Sequence, residues 1–201
     1  MIIVVDYGMG NLRSVSKALE HLGGKVKISS SPKDIERADK LVLPGVGAFG
    51  DAVRELQSAG LFAPVQSFVR AKRPFFGICL GLQLLFERSD ENPEAAGLGV
   101  FEGRVRAFQS ASVKIPHMGW NQIRILQNHP LLHGVPDERT FYFVHSYYAA
   151  PKESGWVVAR CLYGEEDFAA CLGTETVFAT QFHPEKSQEA GLTILKNFLA
   201  W

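Results

Sequence analysis

Cysteine is scarce in this sequence of 201 residues, and that scarcity narrows the kinds of protein it encodes. The three cysteines, Cys79, Cys161 and Cys171, form no C-x-x-C pair and cannot all pair with one another. A disulfide-stapled scaffold and a zinc knuckle are therefore not expected. We expect a chain that works in a reducing, cytoplasmic compartment and holds no metal.

An excess of charge of either sign is also missing. The 21 basic and 21 acidic side chains give a formal net charge of +0, with no run of Lys or Arg and no basic helix face. This balance argues against nucleic acid or an acidic membrane surface as the main partner. No segment reaches the roughly 18 apolar residues that a membrane span requires. A small polar substrate fits this composition better.

Linkers, internal repeats and low-complexity tracts are absent as well. A chain of this length with 46% hydrophobic residues can bury one core of good size. We therefore expect a single domain over residues 1–201.

The first half of the sequence alternates between strand and helix patterns. Continuous apolar runs such as "MIIVVD" and "KLVLPG" are typical of parallel strands buried on both faces, and "NLRSVSKALEHLGG" places apolar residues on one helical face. After about residue 100, shorter strand patterns separated by turns, among them the single strand pattern "TFYFVHSYY", favour antiparallel pairing. We predict an α/β fold with an open, mixed, largely parallel sheet, helices on both faces, and shorter antiparallel strands in the second half.

One cysteine lies where two apolar patterns meet, in "PFFGICLGLQLLF" at residues 74–86. The residues before Cys79 follow a strand pattern and those after it, as far as Phe86, follow helical spacing, so the cysteine is predicted on a strand-to-helix turn. Gly77 and Gly81 complete the G-x-nucleophile-x-G form of a nucleophile elbow. A helix that begins at Leu80 favours the thiolate. The alternative is a buried structural cysteine, which is our interpretation of Cys161 and Cys171.

A candidate base follows a later apolar strand, in "ATQFHPEKS". His183 lies at the strand end where α/β sheets gather ligands, and Glu185 follows two residues later. If the backbone stays extended across Pro184, both side chains point the same way, and the carboxylate holds the imidazole tautomer. The alternative is an ordinary surface turn.

A third strand ends in "LVLPGVGAFGDA". The backbone N–H groups of Gly45, Val46 and Gly47, together with that of Leu80, are candidates to bind the oxyanion of a tetrahedral intermediate. Taken alone, this loop is as well explained as a plain strand-to-helix turn. Three such features at the carboxyl ends of strands in one sheet are more specific than any one of them.

These residues resemble a known family. "GICLGLQLLFE" and "FHPE" are similar to the class I, triad-type glutamine amidotransferases, and the similarity covers nearly the whole chain. The resemblance implies a flavodoxin-like fold and hydrolysis of glutamine to glutamate and ammonia without a cofactor. It also implies that Cys79 is the nucleophile, His183 the acid and base, and Glu185 the group that orients the histidine.

The same resemblance indicates where glutamine binds. Gln83, Glu91, Ser146 and Tyr147 fall at the positions with which the family holds its substrate. A carboxylate such as Glu91 suits the substrate's ammonium group, and Gln83 lies one turn after the elbow. The alternative for Glu91 is a solvated side chain, the usual state of a glutamate in a stretch such as "SDENPE".

Further stretches narrow the resemblance to one subgroup, whose members pass ammonia to a separate cyclase subunit in a heterodimer. They are "DYGMGNL", "LPGVGAFGDA", "GLGVFEGRV", "PHMGWN" and "FVHSYY". We expect Asn11, Met118 and Trp120 at the interface with that partner, because Met and Trp are common anchor types and the resemblance places these motifs on the partner side. The alternative is that Trp120 belongs to the core.

One position departs from the family pattern. Many amidotransferases have two adjacent glycines in the oxyanion loop, whereas Val46 separates Gly45 from Gly47 here. Valine resists positive φ, so we expect an oxyanion donor that is not turned inward in the resting state.

Three other functions remain open at this stage. One is the glutaminase subunit of another amidotransferase, such as that of pyridoxal phosphate synthase, although "PGVGAFGD" and "PHMGWN" argue against it. A cysteine peptidase on a similar sheet is the second. The third is a flavodoxin-like binding module, in which "GMGNL" cradles a phosphate, but the third glycine of G-x-G-x-x-G is missing.

Overall fold

The computed structural model of the chain describes residues 1–109 and 113–201. Its strands are β1 (Ile2–Val5), β2 (Val26–Ser29), β3 (Lys40–Gly45), β4 (Phe75–Cys79), β5 (Phe86–Ser89), β6 (Phe101–Ala107), β7 (His117–Gln122), β8 (Arg124–Ile125), β9 (Thr140–His145), β10 (Tyr147–Pro151), β11 (Val157–Tyr163), β12 (Glu166–Gly173) and β13 (Val177–Thr180).

The helices lie mainly in the first half and at the carboxyl end of the chain. They are α1 (Leu12–His21), α2 (Pro32–Arg37), α3 (Phe49–Ser58), α4 (Phe62–Arg70), α5 (Leu80–Gln83) and α6 (Gln188–Ala200). Short 3-10 turns span Pro130–Leu132, Ser154–Trp156 and Pro184–Lys186.

One large sheet organises the fold. Its strand order is β2-β1-β3-β4-β13-β12-β11-β8, and the first five strands of that order pair in parallel while the last three pair antiparallel. Because β3, β4 and β13 are parallel neighbours, their carboxyl ends meet at one edge of the sheet. The residues that follow these three strands are therefore brought together.

The strands β1, β3, β4 and β13 are buried on both faces, as their continuous apolar runs predict, whereas the edge strand β2 is largely exposed. In β1, Ile3 and Val5 face the core that contains side chains of α2, α3 and α4. Ile2 and Val4 face the opposite core, which contains side chains of α1 and α6. Each fully buried aliphatic side chain of this kind contributes roughly 1.5–3 kcal/mol to folding, so the two cores hold the sheet edge rigidly.

Two smaller sheets flank the large one. The strands β10, β6 and β5 form one, and β7 pairs antiparallel with β9 in the other. The predicted fold class, a mixed and largely parallel sheet with helices on both faces and antiparallel strands in the second half, is confirmed.

Two local predictions were wrong. The helical pattern after Cys79 predicts a helix that includes Phe86, but α5 ends at Gln83 and Phe86 begins β5. The carbonyl groups of Leu84 and Leu85 instead accept hydrogen bonds from residues 98, 100 and 101, so tertiary pairing overrides the local pattern. Likewise "TFYFVHSYY" is two strands in different sheets, separated at Ser146.

Within the described ranges, no helix combines the length and the apolar character that crossing a membrane requires.

Candidate active site

Cys79 lies on a strained turn between β4 and α5. Its backbone has φ of 54° and ψ of −106°, a conformation that costs a non-glycine residue about 1–3 kcal/mol. The turn is possible only because both flanking glycines lack a Cβ. A Cβ on Gly81 would lie 1.8 Å from the carbonyl oxygen of Leu43, and one on Gly77 would lie 2.7 Å from that of Gly81. The sequence therefore builds a turn that presents the sulfur beyond the sheet.

The chain brings His183 and Glu185 together behind this sulfur. Nδ1 of His183 lies 2.9 Å from Oε1 of Glu185, and both side chains are almost completely buried. The route differs from the one predicted, because residues 184–186 form a 3-10 turn and only His183 stays extended. The His183 N–H donates to the Tyr142 carbonyl and its carbonyl accepts from the Ser187 hydroxyl, so the backbone of the histidine is fixed on both sides.

The charge state of His183 follows from its neighbours. Burial alone lowers the pKa of His183, but the adjacent Cys79 sulfur and then the Glu185 carboxylate outweigh it and raise that pKa to about 10. Nε2 of His183 is buried, and it has no hydrogen-bond partner among the described residues. These contacts favour the imidazolium form of His183 at neutral pH.

A cavity of about 310 Å³ opens at this sulfur. Its volume is at the lower end of the range for ligand pockets, which suits a small molecule. The residues that line it are Val46, Gly47, Cys79, Leu80, Gln83, Glu91, Pro116, Val144, His145, Ser146 and Tyr147. Every predicted oxyanion and substrate residue except Gly45 therefore contacts one cavity.

Comparison with known families decides what kind of site this is. A family model described as "Glutamine amidotransferase class-I" matches residues 3–201. The chain belongs to the class I glutamine amidotransferases. The expected family and the expectation of an enzyme are thereby confirmed.

Relatives of this amidotransferase share one name. The chain is 50% identical over 204 residues to "Imidazole glycerol phosphate synthase subunit HisH" of Nitrosococcus oceani, and the match covers 100% of this chain and 97% of that protein. It is 48% identical over 204 residues to the protein of the same name from Syntrophotalea carbinolica, with 98% of each chain covered.

Solved structures agree on the fold of the amidotransferase. "Crystal structure of glutamine amidotransferase" superposes with a TM-score of 0.77 at 22% identity and covers 100% of this chain and 99% of that one. "Structure of PurLQS from Thermotoga maritima" gives a TM-score of 0.76 at 20% identity, with 99% and 97% covered. At these identities the likeness shows the fold alone.

Gln83 and Tyr147 are linked across one wall of the amidotransferase cavity. The Gln83 amide group donates to the Tyr147 carbonyl at 2.9 Å and to the Gln181 side-chain oxygen at 3.2 Å. Ser146, at the break between β9 and β10, accepts a hydrogen bond at its carbonyl from the N–H of Phe108. The contacts on this side of the cavity therefore fix the Gln83 side chain and the backbone of 146–147.

Glu91 is not a solvated side chain. Its Oε2 accepts a hydrogen bond from the N–H of Phe49 at 2.7 Å, and the neighbouring Asn92 accepts from the N–H of Gly50. Both N–H groups belong to the first turn of α3, whose own N-cap residue, Ala48, supplies no side-chain acceptor. Glu91 is the only carboxylate among the described residues that line the cavity. The negative charge of the cavity wall is therefore confined to the position of Glu91.

The oxyanion loop lies between β3 and α3. Gly45 packs tightly, since a Cβ there would come within 2.4 Å of the Tyr7 hydroxyl oxygen, and that hydroxyl donates to the Pro44 carbonyl at 3.1 Å. Gly47 has φ of 106°, whereas Val46 does not take positive φ and is 41% exposed. The start of the loop is therefore anchored, and Val46 lies at the solvent side of the cavity.

The predicted partner residues lie on exposed or partly exposed positions. In β7 the even-numbered residues face outward, so Met118 is 63% and Trp120 is 49% exposed. Trp120 also contacts the ring of Tyr142 edge-on, and Asn11 is a partly buried residue at the start of α1. Trp120 is therefore not a core residue, which removes the alternative interpretation of that side chain.

Two residues of this amidotransferase site were missed at the level of sequence. Gln181 lies two residues before His183. Alternate residues of an extended chain lie on one face, so this spacing could have indicated that Gln181 lies on the same side as His183. The second is His145, which has no carboxylate placed after it as Glu185 is after His183. It lines the cavity, but no local pattern identifies it.

His145 belongs to a buried chain of neutral groups. It donates from Nδ1 to the Tyr147 carbonyl at 2.9 Å, so its Nε2 accepts from Nδ1 of His117, also at 2.9 Å. Nε2 of His117 then accepts from the Asn121 amide. Burial lowers the pKa of His145 to about 3 and that of His117 to about 4, so neither histidine is charged at neutral pH.

The other two cysteines fit a structural role. Burial, and then Asp167, raises the pKa of Cys161 to about 12, and burial followed by the nearby Cys161 raises that of Cys171. Both are unbridged and buried like Cys79, but neither lines the cavity as Cys79 does. Within residues 1–109 and 113–201, no cluster of three or more His, Cys, Asp or Glu side chains is arranged to hold a metal ion.

Proposed function

We propose that this chain is the glutaminase subunit of imidazole glycerol phosphate synthase. It hydrolyses glutamine to glutamate and ammonia and passes the ammonia to a cyclase subunit, which forms imidazole glycerol phosphate and aminoimidazole carboxamide ribotide in histidine biosynthesis. The observation that carries the chemistry is that Cys79 lines a small cavity and acts on the charge of the buried His183, which is paired with Glu185. The shared name of relatives near 50% identity supports the choice of subunit.

The reaction proceeds through an acyl-enzyme. The Cys79 thiolate attacks the carbon of the substrate's side-chain amide, and the resulting oxyanion is met by N–H groups of the 45–47 loop and of Leu80. The His183 imidazolium donates its Nε2 proton to the amide nitrogen, and ammonia leaves. His183 then removes a proton from water, which hydrolyses the thioester and releases glutamate, while Glu185 keeps Nδ1 protonated.

The cavity contacts support a pose for glutamine. Glu91 binds the substrate's ammonium group, and its hydrogen bond to Phe49 holds the carboxylate beside the end of the oxyanion loop. Gln83, with the backbone at Ser146 and Tyr147, binds the rest of the substrate on the opposite wall. A substrate in this pose has its amide next to Cys79.

The partner binds on the face that carries Met118 and Trp120, with Asn11. Two large, exposed side chains of anchor types on one edge strand are typical of a protein interface and costly to leave in water. In this proposal the protein acts as a heterodimer, works in the cytoplasm, forms one domain over residues 1–201 and needs no cofactor.

Ammonia release from glutamine, measured with and without the cyclase subunit, tests this function. We expect glutamate and ammonia in equal amounts, with the rate raised by the cyclase that carries its nucleotide ligand. Peptide cleavage without glutamine hydrolysis would indicate a cysteine peptidase, and glutaminase activity that ignores this cyclase would indicate a subunit of another amidotransferase.

A further inference from the structure

Gln181 is a buried amide that lies beside the Cys79 sulfur. Thr180, the last residue of β13, pairs with Ile78 of β4, so the next residues along these parallel strands, Gln181 and Cys79, lie side by side. Gln181 is fully buried, and its backbone N–H donates to the Ala170 carbonyl at 2.9 Å. Its side-chain nitrogen lies 3.7 Å from Sγ of Cys79.

The hydrogen bonds fix which end of this amide faces the sulfur. The Tyr147 carbonyl can only accept, so the Gln83 group that lies 2.9 Å from it is the NH₂ group. The same NH₂ group lies 3.2 Å from the Gln181 side chain and requires an acceptor there, which is Oε1. The NH₂ group of Gln181 is then the end that faces Sγ, and it can only donate.

A donor at this position favours the charged form of the sulfur. Hydrogen bonds to an ionised acceptor are stronger than those to a neutral one, and they are strongest where water is excluded. The imidazole of His183 interacts with the Cys79 sulfur, and Gln181 supplies a second, uncharged interaction from the β13 side. It keeps this role through catalysis, because Gln181 itself exchanges no proton.

We propose that Gln181 is a further residue of the catalytic machinery, which donates a hydrogen bond to the Cys79 thiolate and connects the nucleophile to the substrate-binding wall through Gln83. The proposal rests on the proposed role of Cys79 as nucleophile. Stabilising a thiolate raises its population but lowers its intrinsic nucleophilicity. The contribution of Gln181 is therefore largest at acidic pH and declines as the pH rises above the pKa of the thiol.

Two substitutions remove the donor. Gln181→Met keeps the volume of the side chain, and Gln181→Asn keeps an amide that is too short to reach both Sγ and Gln83. We expect the midpoint of the pH profile for iodoacetamide alkylation of Cys79 to rise by about one pH unit in both variants. Alkylation is followed by mass spectrometry on the Cys79 peptide of the full-length chain. In the complex with the cyclase, kcat for glutamine falls about tenfold at neutral pH and recovers toward the wild-type value at alkaline pH.

Thr180→Val is the matched control. Thr180 is equally buried and adjacent in sequence, but its hydroxyl donates to the Phe182 carbonyl and has no hydrogen bond to Cys79. We expect this variant to lose thermal stability and to keep the wild-type alkylation profile. A shift in the Gln181 variants alone supports the proposal.

An unshifted alkylation profile in Gln181→Met would overturn the proposal, as would an equal shift in Thr180→Val. If Gln181→Met does not fold, as judged by circular dichroism, the same measurement on Gln181→Asn decides. Alkylation needs no glutamine hydrolysis, so a wild-type chain without glutaminase activity would refute the proposed function while the alkylation shift still tested Gln181.

Discussion

Replacement of Val46 by glycine tests whether the oxyanion loop controls the enzyme. Val46 does not take positive φ in the structure. We expect the oxyanion donor of this loop to turn inward only when Val46 adopts positive φ. A left-handed conformation costs a residue with a Cβ roughly 1–2 kcal/mol, and glycine pays almost none of it. Val46→Gly therefore raises the population of the turned loop about 5- to 30-fold.

The expected rates follow from that population. One oxyanion donor contributes roughly 10²–10³ to kcat, so only the turned loop is appreciably active. The basal glutaminase rate should therefore rise in proportion to the population of the turned loop. We expect glutaminase of the isolated chain to rise about tenfold and the stimulation by the ligand-loaded cyclase to shrink by the same factor, because the partner acts on the same equilibrium. Val46 is 41% exposed, so little packing is lost with its side chain.

Steady-state glutamate production is the assay, with each variant alone, with the cyclase, and with the cyclase plus its nucleotide ligand. Val46→Ala is the control, since it removes both methyl groups of the valine but retains the Cβ that resists positive φ. Equal basal rates in Val46→Gly and Val46→Ala, at equal thermal stability, would refute the reasoning. Full activity of the isolated wild-type chain would refute it too.

Three further predictions concern the triad, the partner and pH. Glu185→Gln should lose at least about tenfold less activity than His183→Ala, because an amide still accepts the Nδ1 hydrogen bond; equal losses with intact circular dichroism spectra would refute the orienting role. Trp120→Ala should weaken cyclase binding about 30-fold by calorimetry without changing monomer thermal stability, whereas Leu126→Ala, equally exposed but outside the proposed interface, should not. His145 has its pKa lowered to about 3, so the folded state disfavours its protonation. Its contribution to stability is full above pH 6.5 and is lost, by about 1.4 kcal/mol per pH unit, as the pH falls toward 3. His117, with its pKa lowered to about 4, adds a similar slope, so in urea unfolding His145→Gln should reduce the measured slope by about 1.4 kcal/mol per pH unit; an unchanged slope in that variant would contradict the assignment.

The parts of the fold that the sequence predicts are those in which local pattern and tertiary environment agree. Strands such as β1 and β3 are buried on both faces, so a continuous apolar run has only one stable arrangement there. The turn at Cys79 is equally predictable from the sequence, since only glycines fit on both sides of it. Phe86 is the opposite case, because its apolar neighbours suit a helix and a strand equally and distant residues decide between them.

The sequence predicts the site residues that lie at the ends of strands or close together along the chain. It does not predict contacts between residues that are far apart in sequence. His183 and Glu185 are close in sequence, so their contact is local. The hydrogen bond from Gln181 to Cys79 joins residues 102 positions apart, and no periodicity encodes it. The exposure of Trp120 could not be predicted from the sequence either, because an isolated aromatic residue in a short strand suits a core and an interface equally well.

The central claim is that this chain makes ammonia and a separate subunit uses it. The most direct test replaces the nucleophile, Cys79→Ala, in the complex with the cyclase, and compares synthesis driven by glutamine with synthesis driven by added ammonium salt. The account predicts that glutamine-dependent synthesis is abolished while ammonia-dependent synthesis stays at the wild-type rate, because the thiolate acts only on the amide. Retained glutamine-dependent synthesis, or an equal fall in both reactions, would contradict it.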